Sequence, residues 1–212
     1  MKNVLWLPFA LCLFTAPALA NDADKAALAT ARGFVLNALP GECDDTSIYG
    51  DDGAFADAAY QLSWTPDWGG ENDPKQHVML YQIFCFAGAY NLVHAYAFKA
   101  EGENFSLISF AVPTYKIEYA DGDENQTQLK APPRVTGFST TATLVNSGFD
   151  ADTYTLTSSS KWRGLGDAWS SGTWEFRSGQ FVLKAYAVDP TYEANLDNPT
   201  DEQIARYYEL YP

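Results

Sequence analysis

Residues 78–86 read Val-Met-Leu-Tyr-Gln-Ile-Phe-Cys-Phe, an almost continuous apolar run that is soon followed by Gly88. Its aromatic and branched side chains favour a β-strand, because such side chains pack well on a pleated sheet. The next run, residues 92–98, is apolar on both alternating faces, which predicts a strand covered on both sides. Residues 105–112 form a third apolar run beyond a turn at 101–104. Together the three runs predict the centre of an antiparallel sheet.

Weaker strand signals follow toward the C-terminus. Between residues 115 and 119 apolar and charged residues alternate, as in a strand with one side in water. A polar loop is expected over 120–133, followed by two threonine-rich strands over about 134–145 and 153–160. Residues 173–188 give the clearest hairpin signal. Within this segment Trp174 and Phe176 alternate with charged residues, so we assign both aromatic side chains to the core.

A helix is predicted at each end of the chain. Residues 21–39 carry apolar side chains at helical spacing, and Thr200 with Gln203 forms a capping-box pattern. Residues 41–76 are loop-rich, with a short helix or strand expected around 54–64. We therefore predict a mainly β (α+β) fold: an antiparallel β meander of six to eight strands, either an open curved sheet or barrel-like, with one N-terminal and one short C-terminal helix.

The first twenty residues have the pattern of a secretory signal peptide. Lys2 gives a positive start, a short apolar run follows, and Ala18 and Ala20 supply the small residues that signal peptidase requires. We expect cleavage near Ala20 and a periplasmic or secreted protein with no integral membrane segment; an N-terminal membrane anchor is the alternative. The predicted organisation is a signal peptide over 1–20, an N-terminal helix and loop-rich segment over 21–76, an antiparallel β domain over 77–190, and a C-terminal tail with a short helix over 191–212.

The charge balance restricts the classes of partner. The 212 residues include 27 acidic and 13 basic ones, for a formal net charge of -14. Nucleic-acid binding is excluded, because it needs basic side chains that neutralise phosphates. A hydrophobic content of 47% is too high for a disordered chain. Composition alone indicates no reaction.

Two cysteines, Cys43 and Cys85, follow the predicted cleavage site. Export favours their oxidation to a disulfide, since extracytoplasmic compartments are oxidising. Loop-closure entropy would then stabilise the fold by ~4 kcal/mol. Two buried free thiols are the alternative.

Signals for catalysis or metal binding are weak. His77 and His94 have no cysteine or acid at metal-ligand spacing, and His94 lies on an apolar strand face, as a core histidine would. The Ser-x-x-Lys pattern at 158–161 follows a strand, whereas that chemistry needs the serine and lysine on one helical turn.

The acidic loops are candidate calcium sites. Residues 121–125 begin like an EF-hand loop, but the loop lacks the glycine and the final glutamate of that motif. We predict no metal and no cofactor. A looser calcium site there or in an earlier acidic loop is the alternative to solvated loops; that loop contains Asp44, Asp45, Asp51 and Asp52.

Four tryptophans lie in segments flanked by glycine, proline or serine rather than in clear strands: Trp64, Trp68, Trp162 and Trp169. Indoles in such segments can stack on sugar rings or grip a peptide, because the ring face is apolar and the N–H donates. Alternatively they cap the open ends of the β core. They are the candidate binding residues, and the candidate partner is an envelope protein or a polysaccharide.

Two clusters of residues look like parts of a known family. Residues 85–91 read Cys-Phe-Ala-Gly-Ala-Tyr-Asn, and 163–167 read Arg-Gly-Leu-Gly-Asp, followed by Ser-Ser-Gly-Thr-Trp-Glu-Phe at 170–176 and Gly-Gln-Phe-Val-Leu at 179–183. In this order and at this separation they resemble the exported bacterial domain-of-unknown-function family number 1176, over roughly residues 76–190. The resemblance implies an envelope protein and adds no established activity.

The resemblance also exposes a departure. The family pattern continues from glycine-leucine-glycine-aspartate into a cysteine, and this chain has Ala168 at that position. The resemblance thus implies that Cys43 is the only partner left for Cys85. We interpret the motif residues as turn-forming, with a ligand role as the alternative, because glycines supply backbone freedom and short polar side chains hold turns. These residues are Gly88, Tyr90, Asn91, Gly164, Gly166 and Asp167.

The sequence therefore predicts an exported binding or interaction module of the cell envelope rather than an enzyme. The prediction depends on the signal peptide, the lack of a catalytic constellation and the loop tryptophans. A carboxylate-dependent envelope hydrolase is the alternative. It requires Asp167 or Glu175 in a cleft, with a second carboxyl group roughly 5–10 Å away.

Overall fold

The computed structural model describes residues 22–43, 53–70 and 73–212. The predicted signal peptide, its cleavage site and the aspartates at 44, 45, 51 and 52 lie outside the described residues. In chain order the helices and strands are α1 (Asp22–Ala38), β1 (Ala58–Trp64), β2 (Gln76–Ala87), β3 (Leu92–Lys99), β4 (Ser106–Leu107), β5 (Phe110–Tyr119), β6 (Leu129–Thr141), β7 (Thr143–Val145), β8 (Gly148–Asp150), β9 (Thr155–Lys161), β10 (Trp169–Arg177), β11 (Gln180–Asp189), α2 (Asp201–Ile204) and β12 (Tyr208–Tyr211).

The strands form two five-stranded sheets and a two-stranded ribbon, and all their pairings are antiparallel. The first sheet has the order β1-β2-β3-β4, with β7 also paired to β3; the second has the order β12-β11-β10-β9-β8. Strands β5 and β6 make the ribbon. The predicted mainly β, antiparallel fold with few helices is confirmed. The described residues contain twelve strands rather than six to eight, because short strands such as β4, β8 and β12 extend the sheets.

Strands β2 and β3 are buried on both faces, as their continuous apolar pattern predicts. On one face, Val35 of α1 packs with Ile83 and Ala95 in a core beneath the helix. On the other face, Leu80 and Tyr96 join the core between the two sheets, which also receives Trp174 of β10. The order of layers is therefore helix, first sheet, second sheet.

A disulfide and an ion pair fix α1 to the first sheet. Cys43 and Cys85, 42 residues apart in sequence, form the disulfide, and both are buried. The predicted disulfide is thus confirmed. Arg32 of α1 donates from Nε to Asp57 Oδ2 over 2.8 Å and from Nη2 to Asp57 Oδ1 over 2.7 Å. The backbone N–H of Phe84 donates to the same carboxylate over 2.9 Å, which anchors the ion pair to β2.

The boundaries of several predicted elements differ from the structure. Strand β6 begins at Leu129 and contains the prolines at 132 and 133, within the predicted polar loop. It tolerates them because it pairs only with β5, so an absent N–H can face away from the ladder. The capping box of Thr200 and Gln203 is present at the start of α2. Among the described residues, neither helix has the length and apolar character needed to span a membrane.

Candidate functional site

The two segments that carry the family resemblance meet at one end of the sheets. The β2–β3 turn places Asn91 beside the end of β9, where its Nδ2 donates to Lys161 O over 2.9 Å and its Oδ1 accepts from Lys161 N over 3.3 Å. Tyr90 donates from its hydroxyl to Trp162 O over 3.4 Å. The Tyr90 ring lies against Gly164, where an added Cβ would stand 3.3 Å from Cδ1 of the ring. We call residues 88–91 and 161–164 the motif junction.

Asn146 ties the motif junction to the turn between β7 and β8. Its Oδ1 accepts from Leu92 N over 2.8 Å, and its Nδ2 donates to Asn91 Oδ1 over 2.9 Å and to Ser159 O over 2.9 Å. Its φ of 42° is left-handed, a conformation that asparagine adopts more readily than most residues. The cross-sheet hydrogen bonds of Asn146 were not predictable from the sequence, because they depend on how the two sheets pack.

Two cavities adjoin the motif junction and share Val145 as a lining residue. The turn cavity, of about 350 Å³, is lined by Phe86, Gly88, Ala89, Tyr90, Asn91, Val93 and Val145. The hydroxyl cavity, of about 240 Å³, is lined by Val112, Thr141, Thr143, Leu144, Val145, Ser158, Ser160, Ser170, Ser171, Gly172, Trp174 and Tyr186. No lining residue of either cavity carries a formal charge, although the chain as a whole has a net charge of -14.

Aromatic rings and hydroxyl groups give this region its chemistry. Phe86 and Tyr90 remain 36% and 41% exposed at the turn cavity. Trp162 donates from Nε1 to Ser170 Oγ over 3.4 Å, so its indole lies beside the hydroxyl cavity. The hydroxyl of Ser158 donates to Val145 O over 2.8 Å, whereas that of Ser160 has no hydrogen-bond partner among the described residues. Ser160 therefore has a donor and acceptor available to a ligand.

The four candidate tryptophans do not form one surface. Trp64 packs on Phe176 with ring centroids 5.3 Å apart and lies against Gly179, at the hairpin end of β10. Trp68 follows β1 and is 84% exposed. Trp162 and Trp169 flank the loop at the other end of β10. Of the four, Trp162 belongs to the motif junction.

Asp167 holds the 162–168 loop through an ion pair. The Arg163 Nε donates to Asp167 Oδ1 over 2.7 Å, and Arg163 Nη2 pairs with Asp167 Oδ2. The backbone N–H of Ala194 donates to Asp167 Oδ2 over 3.1 Å. The Arg163 guanidinium, followed by these backbone bonds, lowers the pKa of Asp167 despite its partial burial. Gly166 has a left-handed φ of 72°, which suits a turn-forming role.

The two carboxylates named in the hydrolase alternative, Asp167 and Glu175, are each paired with an arginine. Glu175 accepts from Arg177 Nε over 2.8 Å, and this hydrogen bond lowers the pKa of Glu175. Asp167 and Glu175 lie near opposite ends of the 162–177 segment, and neither lines the turn cavity or the hydroxyl cavity. Across the described residues, no group of three or more His, Cys, Asp or Glu side chains could hold a metal ion.

His77 is exposed at the start of β2, whereas His94, the 121–125 loop and the Ser-x-x-Lys segment have structural contacts or positions. His94 is buried, with Nδ1 at 3.4 Å from Ser147 Oγ, and that hydroxyl also lies 2.8 Å from Tyr96 Oη. In the 121–125 loop, Asp123 accepts from Gln128 N over 2.7 Å and so closes a turn. The Ser-x-x-Lys segment lies in β9, not on a helix.

Comparison with known proteins identifies a family model that covers the motif junction. A family model described as a protein of unknown function (DUF1176) matches residues 75–198, which include both halves of the junction and both cavities' strands. The chain belongs to this family. No curated protein and no solved structure matches the chain. The predicted family resemblance is thus confirmed, and the family description names no ligand.

Proposed function

We propose that this family member is an exported, non-catalytic binding module of the cell envelope, and that it binds a neutral polysaccharide in the turn and hydroxyl cavities beside the motif junction. The observation that carries the proposal is the uncharged lining of the turn and hydroxyl cavities in a strongly acidic chain. An ionic ligand would lack a counter-charge in these cavities. A sugar chain needs aromatic faces and hydroxyl partners, which the cavities supply.

The arrangement of side chains supports a sugar more than a peptide. Phe86 and Tyr90 present partly exposed rings beside one cavity, and Ser160 presents an unpartnered hydroxyl beside the other. A pyranose ring could stack at the turn cavity while its hydroxyls reach the serine side chains.

Export is supported by two observations. The sequence begins with a signal-peptide pattern, and a buried disulfide joins Cys43 to Cys85, as is typical of oxidising compartments. Fractionation of cells that produce the full chain should recover a protein shortened by the first twenty residues outside the cytoplasm. Recovery of the full-length chain in the cytoplasm would contradict export.

Affinity electrophoresis through gels that contain soluble neutral polysaccharides (α-glucan, β-glucan or mannan) tests the binding proposal. Retardation of the wild type by at least one polymer, and none by polygalacturonate, is expected. Ser160→Ala should weaken binding about fivefold through loss of one hydrogen bond, and Phe86→Ala about tenfold through loss of a stacking ring. The matched controls are Ser159→Ala, on the opposite face of β9, and Trp68→Ala. Equal losses in the controls, or no retardation by any neutral polymer, would refute the proposal.

A further inference from the structure

Two buried carboxyl groups share one hydroxyl at the end of β11. Thr191 Oγ1 lies 2.7 Å from Asp189 Oδ1 and also makes a hydrogen bond with Glu193 Oε1. The Thr191 backbone N–H donates to Asp189 Oδ1 over 3.0 Å. Asp189, Thr191 and Glu193 are 1%, 1% and 4% exposed, so solvent does not separate the two acids.

The number of protons bound by the two carboxyl groups and Thr191 determines which hydrogen bonds the cluster can form. A threonine hydroxyl has one proton and can donate one hydrogen bond. If both carboxyl groups were ionised, one of the two contacts with Thr191 would join two acceptors without a proton between them. One added proton satisfies both contacts, because one carboxyl group can then donate to Thr191 while Thr191 donates to the other.

The surrounding charges do not replace that proton. The charge of Arg163 reaches Glu193, but the guanidinium is engaged in a two-point pair with Asp167 and makes no hydrogen bond to the cluster among the described residues. Asp167 adds negative charge near Asp189. The hydroxyl of Tyr119 donates to Pro190 O over 2.7 Å, and burial, followed by the charges of Tyr192, Asp123 and Asp189, raises the pKa of Tyr119. Burial, together with the charges on Glu193 and Asp167 and against the hydrogen bonds from Thr191, raises the pKa of Asp189 to about 6.

The cluster lies at the base of a strap that bridges two loops. The strap, residues 190–196, donates from Tyr192 N to Gln126 O over 3.0 Å and from Ala194 N to Asp167 Oδ2 over 3.1 Å. Asn195 accepts from Arg163 Nη1 over 2.9 Å and donates to Asn125 O over 2.8 Å. The strap therefore joins the loop between β5 and β6 to the 162–168 loop beside the motif junction.

We propose that the Asp189–Thr191–Glu193 cluster is a proton-operated latch, in which one shared proton holds the strap closed on the two loops and loss of that proton loosens it. The latch does not depend on the nature of any ligand at the motif junction. Because the closed state holds the proton more tightly than the open state, closure is strongest in acid. The opening equilibrium rises by about tenfold per pH unit between pH 3.8 and about 6, and it levels off above that range.

Hydrogen exchange followed by NMR tests the latch on the mature protein. After correction for intrinsic exchange, the amides of Tyr192 and Ala194 should lose protection between pH 4 and pH 7, with a total change on the order of 100-fold. The amide of Trp174 in the core serves as an internal reference that should not follow this profile. Glu193→Gln mimics the protonated acid and should keep the strap protected at both pH values.

Two further measurements separate the latch from a folding defect. Asp197→Asn removes an exposed acid next to the strap and should keep the wild-type pH profile. Carboxyl ¹³C titration of the wild type should show one cluster carboxyl that retains its proton well above pH 4. The proposal is overturned if both Asp189 and Glu193 titrate in the ordinary range, or if Glu193→Gln loses protection with pH as the wild type does.

Discussion

Gly172 packs directly on the central tryptophan of the core, so its replacement by alanine is a sharp test of the inter-sheet packing. A Cβ at Gly172 would stand 2.3 Å from Cη2 and 2.8 Å from Cζ3 of Trp174. Trp174 cannot easily move away, because it is 1% exposed and donates from Nε1 to Ala111 O over 2.9 Å. Its ring also meets that of Phe110, with centroids 5.6 Å apart.

The expected cost of Gly172→Ala follows from these contacts. Overpacking of a rigid core costs about 1–3 kcal/mol, and a weakened indole hydrogen bond adds about 1 kcal/mol. Loss of backbone freedom in the unfolded chain offsets about 0.4–1 kcal/mol. The net destabilisation should be about 2 kcal/mol, which lowers the melting temperature by roughly 4–8 °C for a chain of this size.

Urea unfolding followed by tryptophan fluorescence measures this change, with the disulfide intact. Gly148→Ala is the matched control, since a Cβ there has no neighbour within 4 Å and the backbone is not left-handed. It should change the free energy of unfolding by less than about 0.5 kcal/mol. A Gly172→Ala protein as stable as the wild type, or a control that is equally destabilised, would refute the inferred packing of the two sheets.

Three further predictions concern the cross-links between the layers. Reduction of the bond between Cys43 and Cys85, which closes a 42-residue separation, should lower the free energy of unfolding by ~4 kcal/mol, measured by urea titration with and without reductant. Asn91→Ala should destabilise by about 1–3 kcal/mol, because it removes hydrogen bonds that join the sheets and leaves their partners unpaired; thermal unfolding checks this. Asp167→Asn should destabilise by about 2 kcal/mol at pH 7, since it breaks the charged pair with Arg163. Because the native pKa of Asp167 lies below 3.8, this difference should begin to shrink as the pH falls below 3.8 and vanish only below the native pKa, so urea titrations should give a smaller difference at pH 3 than at pH 7.

The sequence predicts the sheets well where the pattern of apolar residues is strong. The runs in β2 and β3 indicate strands covered on both faces, and the structure covers them with α1 and the second sheet. Strand β12 was missed because its four residues are held by pairing with β11, a contact distant in sequence. The start of β6 was missed because prolines argue against a strand unless its outer edge is unpaired.

The site was predictable only in part. The glycine and asparagine positions of the family segments indicate turns, yet their hydrogen bonds to one another depend on how the two sheets pack. Loop-like flanking residues suggested that Trp64 was exposed, whereas it covers Gly179 and packs on Phe176. Nothing in the sequence pattern singles out Asp189 and Glu193, because aspartate and glutamate are usually surface residues and only the tertiary structure buries these two.

Chemical-shift mapping of the mature protein with neutral oligosaccharides tests most directly whether the motif junction is a binding site. Addition of gluco- or manno-oligosaccharides should shift the indole N–H signal of Trp162 and the amides of residues 88–91, while the indole signal of Trp68 stays unchanged. Shifts confined to Trp64 and Trp68, or no shift with any of the neutral sugars, would contradict the account.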